Sequence, residues 1–172
     1  MHMRFECAKR TDKEEVLALY ALCRQCEGCT WADDYPGETQ FETDMACRAL
    51  YVLRKDGCIV AAMSAGFPND IRQYAMWSDC ENPCELARVA VHPDHQGEGF
   101  GSLLLKLVMA ARRGKGHDCM QLLVSRENPS ARRLYERNGF VYRGFAKRYQ
   151  QNWLCMERKF EKTARKRISY AL

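Results

Sequence analysis

The stretch Glu85-Leu-Ala-Arg-Val-Ala-Val-His-Pro93, followed after Asp94-His95 by Gln96-Gly97-Glu98-Gly99-Phe100-Gly101-Ser102, decides how this chain is read. Glu85 to His92 is rich in apolar and β-branched residues and is stopped by Pro93-Asp94, so a strand is predicted there. Three glycines at alternate positions then lead into an apolar helix predicted from about Ser102 to Arg113. A strand, a glycine-rich turn and a helix N-terminus together suit an anion. The glycines let the backbone approach, and unpaired N–H groups with the positive end of the helix dipole face the charge. A nucleotide P-loop requires Gly-Lys-Ser/Thr, and Gly101-Ser102 has no lysine between them. A dinucleotide fingerprint requires a third glycine where Ser102 stands and an acidic residue where Ser125 ends the next strand. A tight turn with no ligand is the remaining alternative.

Working outward, residues 3 to 8 alternate weakly and are expected to form the first strand. Thr11 with Glu14 three residues on has the form of a capping box. The helix it opens runs to about Glu27, with Val16, Leu17, Leu19, Tyr20 and Cys23 facing the core and Gly28 as its stop. The turn-rich segment Thr30 to Glu38 precedes a second helix from roughly Thr39 to Ala49. Tyr51 to Arg54, Asp56-Gly57 and Cys58 to Gly66 read as strand, turn and strand. Residues 67 to 83, with Pro68, Asn69, Asp70 and Pro83, form a long connection suited to mobility or substrate contact. Cys119 to Ser125 is the fifth strand. Asn128 is an N-cap with Pro129 at the first helical position, and Asn138-Gly139 closes that helix. Val141 to Phe145 and Trp153 to Phe160 supply the last two strands. No internal repeat or linker intervenes, so residues 1–160 are expected to form one α/β domain with a mixed sheet, and residues 161–172 a basic tail.

With 172 residues, 47% of them hydrophobic, the chain has apolar surface for one substantial core, which excludes disordered and fibrous classes. Ten cysteines would mark a disulfide framework in a small secreted chain. The N-terminus MHMRFECAKR has no apolar stretch of export-signal length, and Cys58 to Phe67 is too short to span a bilayer. A reducing, cytoplasmic setting away from membranes is therefore expected. The net charge of +5 hides an asymmetry: residues 1–86 carry nine Lys/Arg against fifteen Asp/Glu, a net of −6, and residues 87–172 eighteen against seven, a net of +11. A basic half suits nucleic acid or a phosphorylated cofactor, and an acidic half suits a cationic molecule.

The loop Gln96-Gly97-Glu98-Gly99-Phe100-Gly101, after a strand ending Ala90-Val91-His92-Pro93, resembles the GCN5-related N-acetyltransferase (GNAT) family, whose pyrophosphate loop has the form Arg/Gln-x-x-Gly-x-Gly/Ala. Asn128-Pro-Ser-Ala-Arg-Arg-Leu-Tyr135-Glu-Arg-Asn-Gly-Phe140 resembles that family's second cofactor segment, in the expected order and at the expected distance. The similarity covers roughly residues 85 to 145. It implies a mostly antiparallel sheet whose parallel fourth and fifth strands splay apart. It also implies acetyl-CoA as cosubstrate, with pyrophosphate on the amides of Gly97 to Ser102 and a pantetheine arm along Val89 and Val91. Val91 N–H is further implied as a donor to the thioester oxygen. Nucleic acid then loses its place as first explanation of the basic half.

Acyl transfer to an amine requires an unprotonated nucleophile, stabilisation of developing negative charge on oxygen, and a proton for the leaving thiolate. The family's pattern makes Tyr135, seven residues after Asn128, the acid and Glu85 the base. His92 and a water chain are the rival bases, and simple packing is the other reading of Tyr135. Asn128, Arg132 and Arg133 are candidate cofactor contacts, the arginines being equally explained by a solvated helix face, as is Arg126. Trp31, Asp33, Asp34, Tyr35 and Trp77 are expected around a cationic amine, through cation–π contact and charge. Cys23-x-x-Cys26-x-x-Cys29 has a spacing that can hold metal, with Cys80 or Cys84 as a possible fourth ligand. Cys23 also fits the helix stripe, and the expectation is no metal. The resulting reading is a cytoplasmic acyltransferase using direct attack on acetyl-CoA by an amine, as a monomer or a homodimer. A non-catalytic acyl-CoA sensor is the alternative.

Overall fold

A computed structural model of the chain describes residues 2–66, 70–74, 76–148 and 150–161. The basic tail and part of the connection at Pro68-Asn69 lie outside the described residues. Seven strands form one sheet: β1 (Met3–Cys7), β2 (Leu50–Lys55), β3 (Cys58–Ala65), β4 (Pro83–Val91), β5 (Cys119–Ser125), β6 (Val141–Arg148) and β7 (Gln151–Lys159). Their spatial order is β1-β2-β3-β4-β5-β7-β6, and every neighbouring pair is antiparallel except β4 with β5. Helices α1 (Lys13–Arg24), α2 (Glu38–Ala46), α3 (Phe100–Gly114) and α4 (Pro129–Arg137) flank it, as the mixed architecture read from the sequence requires.

Two cores follow from the apolar periodicities. Val16, Leu19, Tyr20 and Cys23 recur at helical spacing on α1 and are buried with Phe41 of α2 against Leu50, Val52, Ile59, Ala62 and Ala90. Leu104, Leu105 and Val108 of α3 are buried on the opposite face, against Leu53, Met63, Leu86, Met120 and Leu122. Alternation along β5 explains the division: Met120, Leu122 and Val124 join the α3 core, whereas Gln121 is buried beside Glu157 on the other face.

Several boundaries shift for physical reasons. Thr11 does not cap α1. The Lys9 N–H donates instead to Asp12 Oδ2 at 2.8 Å across a 3-10 turn (Arg10–Asp12), and Arg54 pairs with Asp12 at 2.7 Å, so the carboxylate displaces the hydroxyl. The helix ends at Arg24, and turns through Cys26 and Cys29 carry the chain to Gly28 at φ 76° and beyond. α2 stops at Ala46 because Arg48 turns left-handed (φ 49°) and Ala49 N–H reaches back to Asp44 O at 2.8 Å. β6 and β7 run longer than the sequence suggested and form a tight hairpin. The Asp56-Gly57 turn is as expected, with both residues at positive φ (51° and 96°) between paired Lys55 and Cys58.

What positions the site is the short parallel pairing. Only Pro83–Glu85 meets Cys119–Gln121. Beyond Glu85, β4 stays with β3 while β5 stays with β7, and the two strands diverge. A bulge at Arg88 (φ 52°), where the β3 register shifts, bends β4 at that point.

Candidate active site

The divergence opens a cleft of about 660 Å³, walled by β4, β5, the turn before α3, α4 and the chain after α1. At one end Gly97 and Gly99 adopt φ of 82° and 86°, a region costly for residues with a Cβ, and Gly99 caps α3. Phe100, Gly101 and Ser102 open the helix, so their N–H groups lack intrahelical acceptors, and all three line the cleft. A Cβ on Gly101 would come within 3.3 Å of Val91 Cγ2 and 3.5 Å of Leu134, which explains a glycine inside a helix. Ser102 Oγ donates to Asn138 Oδ1 at 3.0 Å and joins the start of α3 to the end of α4.

Of the other residues expected at the cofactor, Val89, Val91, Gln96, Gly97, Asn128 and Arg133 also line the cleft. Gln96 Nε2 donates to Val91 O at 3.2 Å, holding the turn against the strand end, and Asn128 Oδ1 accepts Ala131 N–H at 2.9 Å as the N-cap of α4. The Glu98 and Arg132 side chains are the exceptions. Glu98 turns away to Lys55 (3.2 Å) and His95 (2.9 Å), and Arg132 pairs with Glu136 (3.3 Å) one helical turn on, so neither side chain is part of the wall.

Glu85 and Tyr135 both line the cleft. The Glu85 side chain is buried, and its Oε2 meets no hydrogen-bond partner among the described residues. Burial pushes its carboxyl up to about 8, the negative charge of Asp70 adds to this, and Arg88 and Arg148 oppose it. Tyr135 is buried with its ring 5.7 Å from Phe140, and desolvation raises its pKa, so it keeps its proton at neutral pH. His92, the rival base, is not part of the wall; its Nδ1 accepts Asp94 N–H at 3.3 Å.

At the other end, Trp31 and Tyr35 line the cleft, with Trp31 edge-on to Tyr20 and Tyr35. Asp33, Asp34 and Trp77 do not: the two aspartates are exposed in the turn before Pro36, and Trp77 Nε1 donates to Ile71 O at 3.2 Å within the connection. A charged group that does belong to this wall is Arg88, whose Nε donates to Asp44 Oδ2 at 2.8 Å while Nη1 reaches Tyr35 Oη at 3.4 Å. Asp44 is fully buried and also accepts from Ser64 Oγ. Arg148, which pairs with Asp70 at 2.8 Å, and Trp153 complete this end. Arg88 had a visible signal, a lone charge inside an apolar strand. Arg148 and Trp153 had none, since they arrive through the β6–β7 hairpin.

Cys23, Cys26 and Cys29 all line the mouth of the cleft. Cys23 Sγ donates to Val91 O at 3.3 Å, and burial pushes that thiol up to about 12, which makes it a poor nucleophile. Among the described residues these three sulfurs do not form a group close enough for one ion.

A turn of unpaired backbone N–H groups, a buried carboxyl whose pKa is raised and a protonated tyrosine therefore share one cleft. The model of the Acetyltransferase (GNAT) family matches residues 15–140. The chain is 39% identical over 72 residues to the [ribosomal protein bS18]-alanine N-acetyltransferase of Haemophilus influenzae, 42% of this chain and 49% of the relative, so it spans about half the length of that curated protein. Among solved structures it resembles the ribosomal-protein-S18-alanine N-acetyltransferase of Escherichia coli, at a TM-score of 0.73 and 18% identity over 96% of this chain and 98% of that one. It also resembles YncA of Salmonella typhimurium, a putative acetyltransferase solved with its cofactor acetyl-CoA, at 0.71 and 19% over 95% and 97%. These structural likenesses concern the fold. The family match covers most of the chain, including β4, β5, α4 and the glycine turn, and on that ground the chain belongs to the GNAT family of acetyltransferases.

Proposed function

We propose that the protein is an N-acetyltransferase that takes the acetyl group of acetyl-CoA and delivers it to a primary amine by direct attack. The observation that carries this reading is Glu85, a buried carboxyl with an oxygen unpartnered among the described residues, in the same cleft as the α3 turn. Acetyl-CoA would supply an activated acyl group and a thiolate leaving group. The backbone N–H groups of Gly97 to Ser102 suit its pyrophosphate, and Arg133 and Arg137, both on the cleft wall, suit its further phosphates. Val89 and Val91 line the gap between the strands that a narrow arm would occupy. Glu85, when ionised, accepts a proton from the incoming ammonium or from the nitrogen as it bonds to carbon. Tyr135 donates its proton to the departing sulfur, and the two groups recover their starting states by exchange with solvent. Direct transfer is supported by Cys23, whose thiol is held protonated.

The acceptor class supported best is an amine on a small, extended group, such as a peptide N-terminus, because Trp31, Tyr35 and Trp153 give an aromatic lining to the cleft that also holds Glu85. The Haemophilus influenzae relative bears the name of an alanine N-acetyltransferase, in line with that class. Ten thiols, none of them bridged, favour work in a reducing compartment such as the cytoplasm. One domain over residues 1–160, acting as a monomer or homodimer, completes the reading. The test is release of free coenzyme A from acetyl-CoA in the presence of peptides, amino acids, polyamines or aminoglycosides. Acceptor-dependent release is expected with peptide N-termini. Tight coenzyme A binding with no release across the panel would favour the sensor reading.

A further inference from the structure

Away from the cleft, the base of the β4–β5 pair collects two thiols and a carboxylate. Cys80 Sγ, Cys119 Sγ and an oxygen of Asp118 all lie within 4.8 Å of one another. None of the three lines the cleft. Cys119 is the first residue of β5 with Asp118 just before it, and Cys80 lies three residues ahead of β4, where Pro83 is in register with Cys119. Both cysteines are buried, and Asp118 is half-buried.

The cluster is held in place by its surroundings. The Asp118 carboxylate accepts N–H groups from Glu81 (2.6 Å) and Asn82 (3.0 Å), one on each oxygen, and each oxygen keeps further lone pairs. The Asp118 backbone is tied on both sides, its N–H to Asn82 O at 3.2 Å and its carbonyl to Phe160 N–H at 2.8 Å. Ser78 Oγ lies 3.5 Å from Cys80 Sγ while also donating to the buried Glu157. Hydrogen bonds that orient a ligating carboxylate are the second half of a metal centre. Two sulfurs rule out calcium and magnesium, which take oxygen, and two sulfurs with one carboxylate suit zinc.

We propose that Cys80, Asp118 and Cys119 form a zinc site that clamps the closed end of the β4–β5 pair. Tetrahedral bonds of about 2.3 Å to sulfur and about 2.1 Å to oxygen bring ligand atoms to roughly 3.5 Å apart, within the 4.8 Å that already bounds the present cluster. Water takes the fourth position on the side where Asp118 reaches the surface. As each S–Zn bond forms an S–H bond breaks, so two protons pass to solvent and the zinc stays divalent. The ion joins the segment before β4 to the start of β5, two residues from the pair in which Glu85 meets Gln121. The site does not depend on the acyl-transfer reading.

The test uses the full chain, purified with a thiol reductant and titrated with zinc against a chromophoric chelator. One zinc per chain is expected, with loss of binding in Cys119→Ser and in Asp118→Asn and retention in Cys26→Ser. Cobalt added to the unsubstituted protein gives a reading that needs no variant: a thiolate-to-cobalt charge-transfer band with the visible absorption of a tetrahedral ion. Zinc is also expected to raise the melting temperature of the unsubstituted chain and leave that of Cys80→Ser unmoved. Absence of stoichiometric zinc, zinc that survives Cys119→Ser but leaves with Cys26→Ser, or cobalt absorption without the thiolate band would each overturn the proposal. So would a Cys80–Cys119 disulfide found by peptide mass mapping in the isolated protein.

Discussion

Glu85 occupies a position costly to the fold that the proposed reaction puts to use. Its carboxyl is buried with one oxygen unpartnered among the described residues, and its pKa is raised to about 8. Ionisation at that site is disfavoured relative to the unfolded chain, where the ordinary value is 4.5. The stability that this group's neutral form brings is therefore full below about pH 4.5 and is lost as pH rises through about 8. Thermal melts between pH 6 and 9 should show Glu85→Gln gaining on the unsubstituted protein as pH rises, by a few kcal/mol at about 1.4 kcal/mol per tenfold change in proton affinity. Activity should move the opposite way. With Glu85 as base, kcat/KM climbs with pH and levels off above about 8, and Glu85→Gln flattens that limb and lowers the rate about 10²–10⁴-fold. A Glu85→Gln profile that keeps the same limb would remove Glu85 from the role. Tyr135→Phe keeps the ring that packs on Phe140 and removes only the hydroxyl. Its kcat should fall about 10²-fold with coenzyme A affinity unchanged, whereas equal turnover across pH would leave Tyr135 a packing residue.

Among the elements, the turn into α3 and the bulge in β4 carry the most specific demands. Gly99 at φ 86° has open space where a Cβ would stand, so the cost of Gly99→Ala is conformational, about 1–2 kcal/mol. Reorientation of the N–H groups it presents should weaken coenzyme A binding, measurable by calorimetry alongside a melt. At the bulge, Arg88 pairs with the fully buried Asp44, and removing that carboxylate takes away the ion pair. Asp44→Ala should cost about 3–5 kcal/mol in urea unfolding, and a loss below 1 kcal/mol would mean that the Arg88 cation finds another neighbour. These features were unequally legible. The glycines announced the turn because few other residues tolerate its dihedrals, and Glu85 and Tyr135 lay at fixed distances from it along the chain. The Asp44–Arg88 pair, by contrast, joins α2 to β4 across 44 residues, and only tertiary contact makes it. The same holds for Arg148 and Trp153, brought in by a hairpin, and for Asp33, Asp34 and Trp77, whose local chemistry suited a site they do not line. Cys80 and Cys119 are another such meeting. Cys23, Cys26 and Cys29 are regularly spaced along the chain, yet among the described residues their sulfurs do not form one group within 4.8 Å.

For the molecule as a whole, the charge asymmetry of the sequence has a spatial counterpart. The arginines of α4 that line the cleft, Arg133 and Arg137, belong to the basic half, and Glu27 at its mouth belongs to the acidic one. Coenzyme A affinity should therefore weaken as salt rises from about 0.05 to 0.5 M, since the screening length shortens over that range. Affinity independent of salt would mean that backbone amides alone hold the phosphates. The brief β4–β5 pairing has a consequence of a different kind. A sheet that stops pairing after three residues leaves two interior edges facing each other across a gap, with alternate amides of residues 86–91 and 122–125 turned into it. Such edges are normally hidden because they recruit strange strands. In the proposed function a thin polar arm such as pantetheine would lie along these edges and finish the sheet. Amide hydrogens on those edges should exchange quickly in the free protein and slow together when coenzyme A is added, while amides shared with β3 and β7 stay protected throughout.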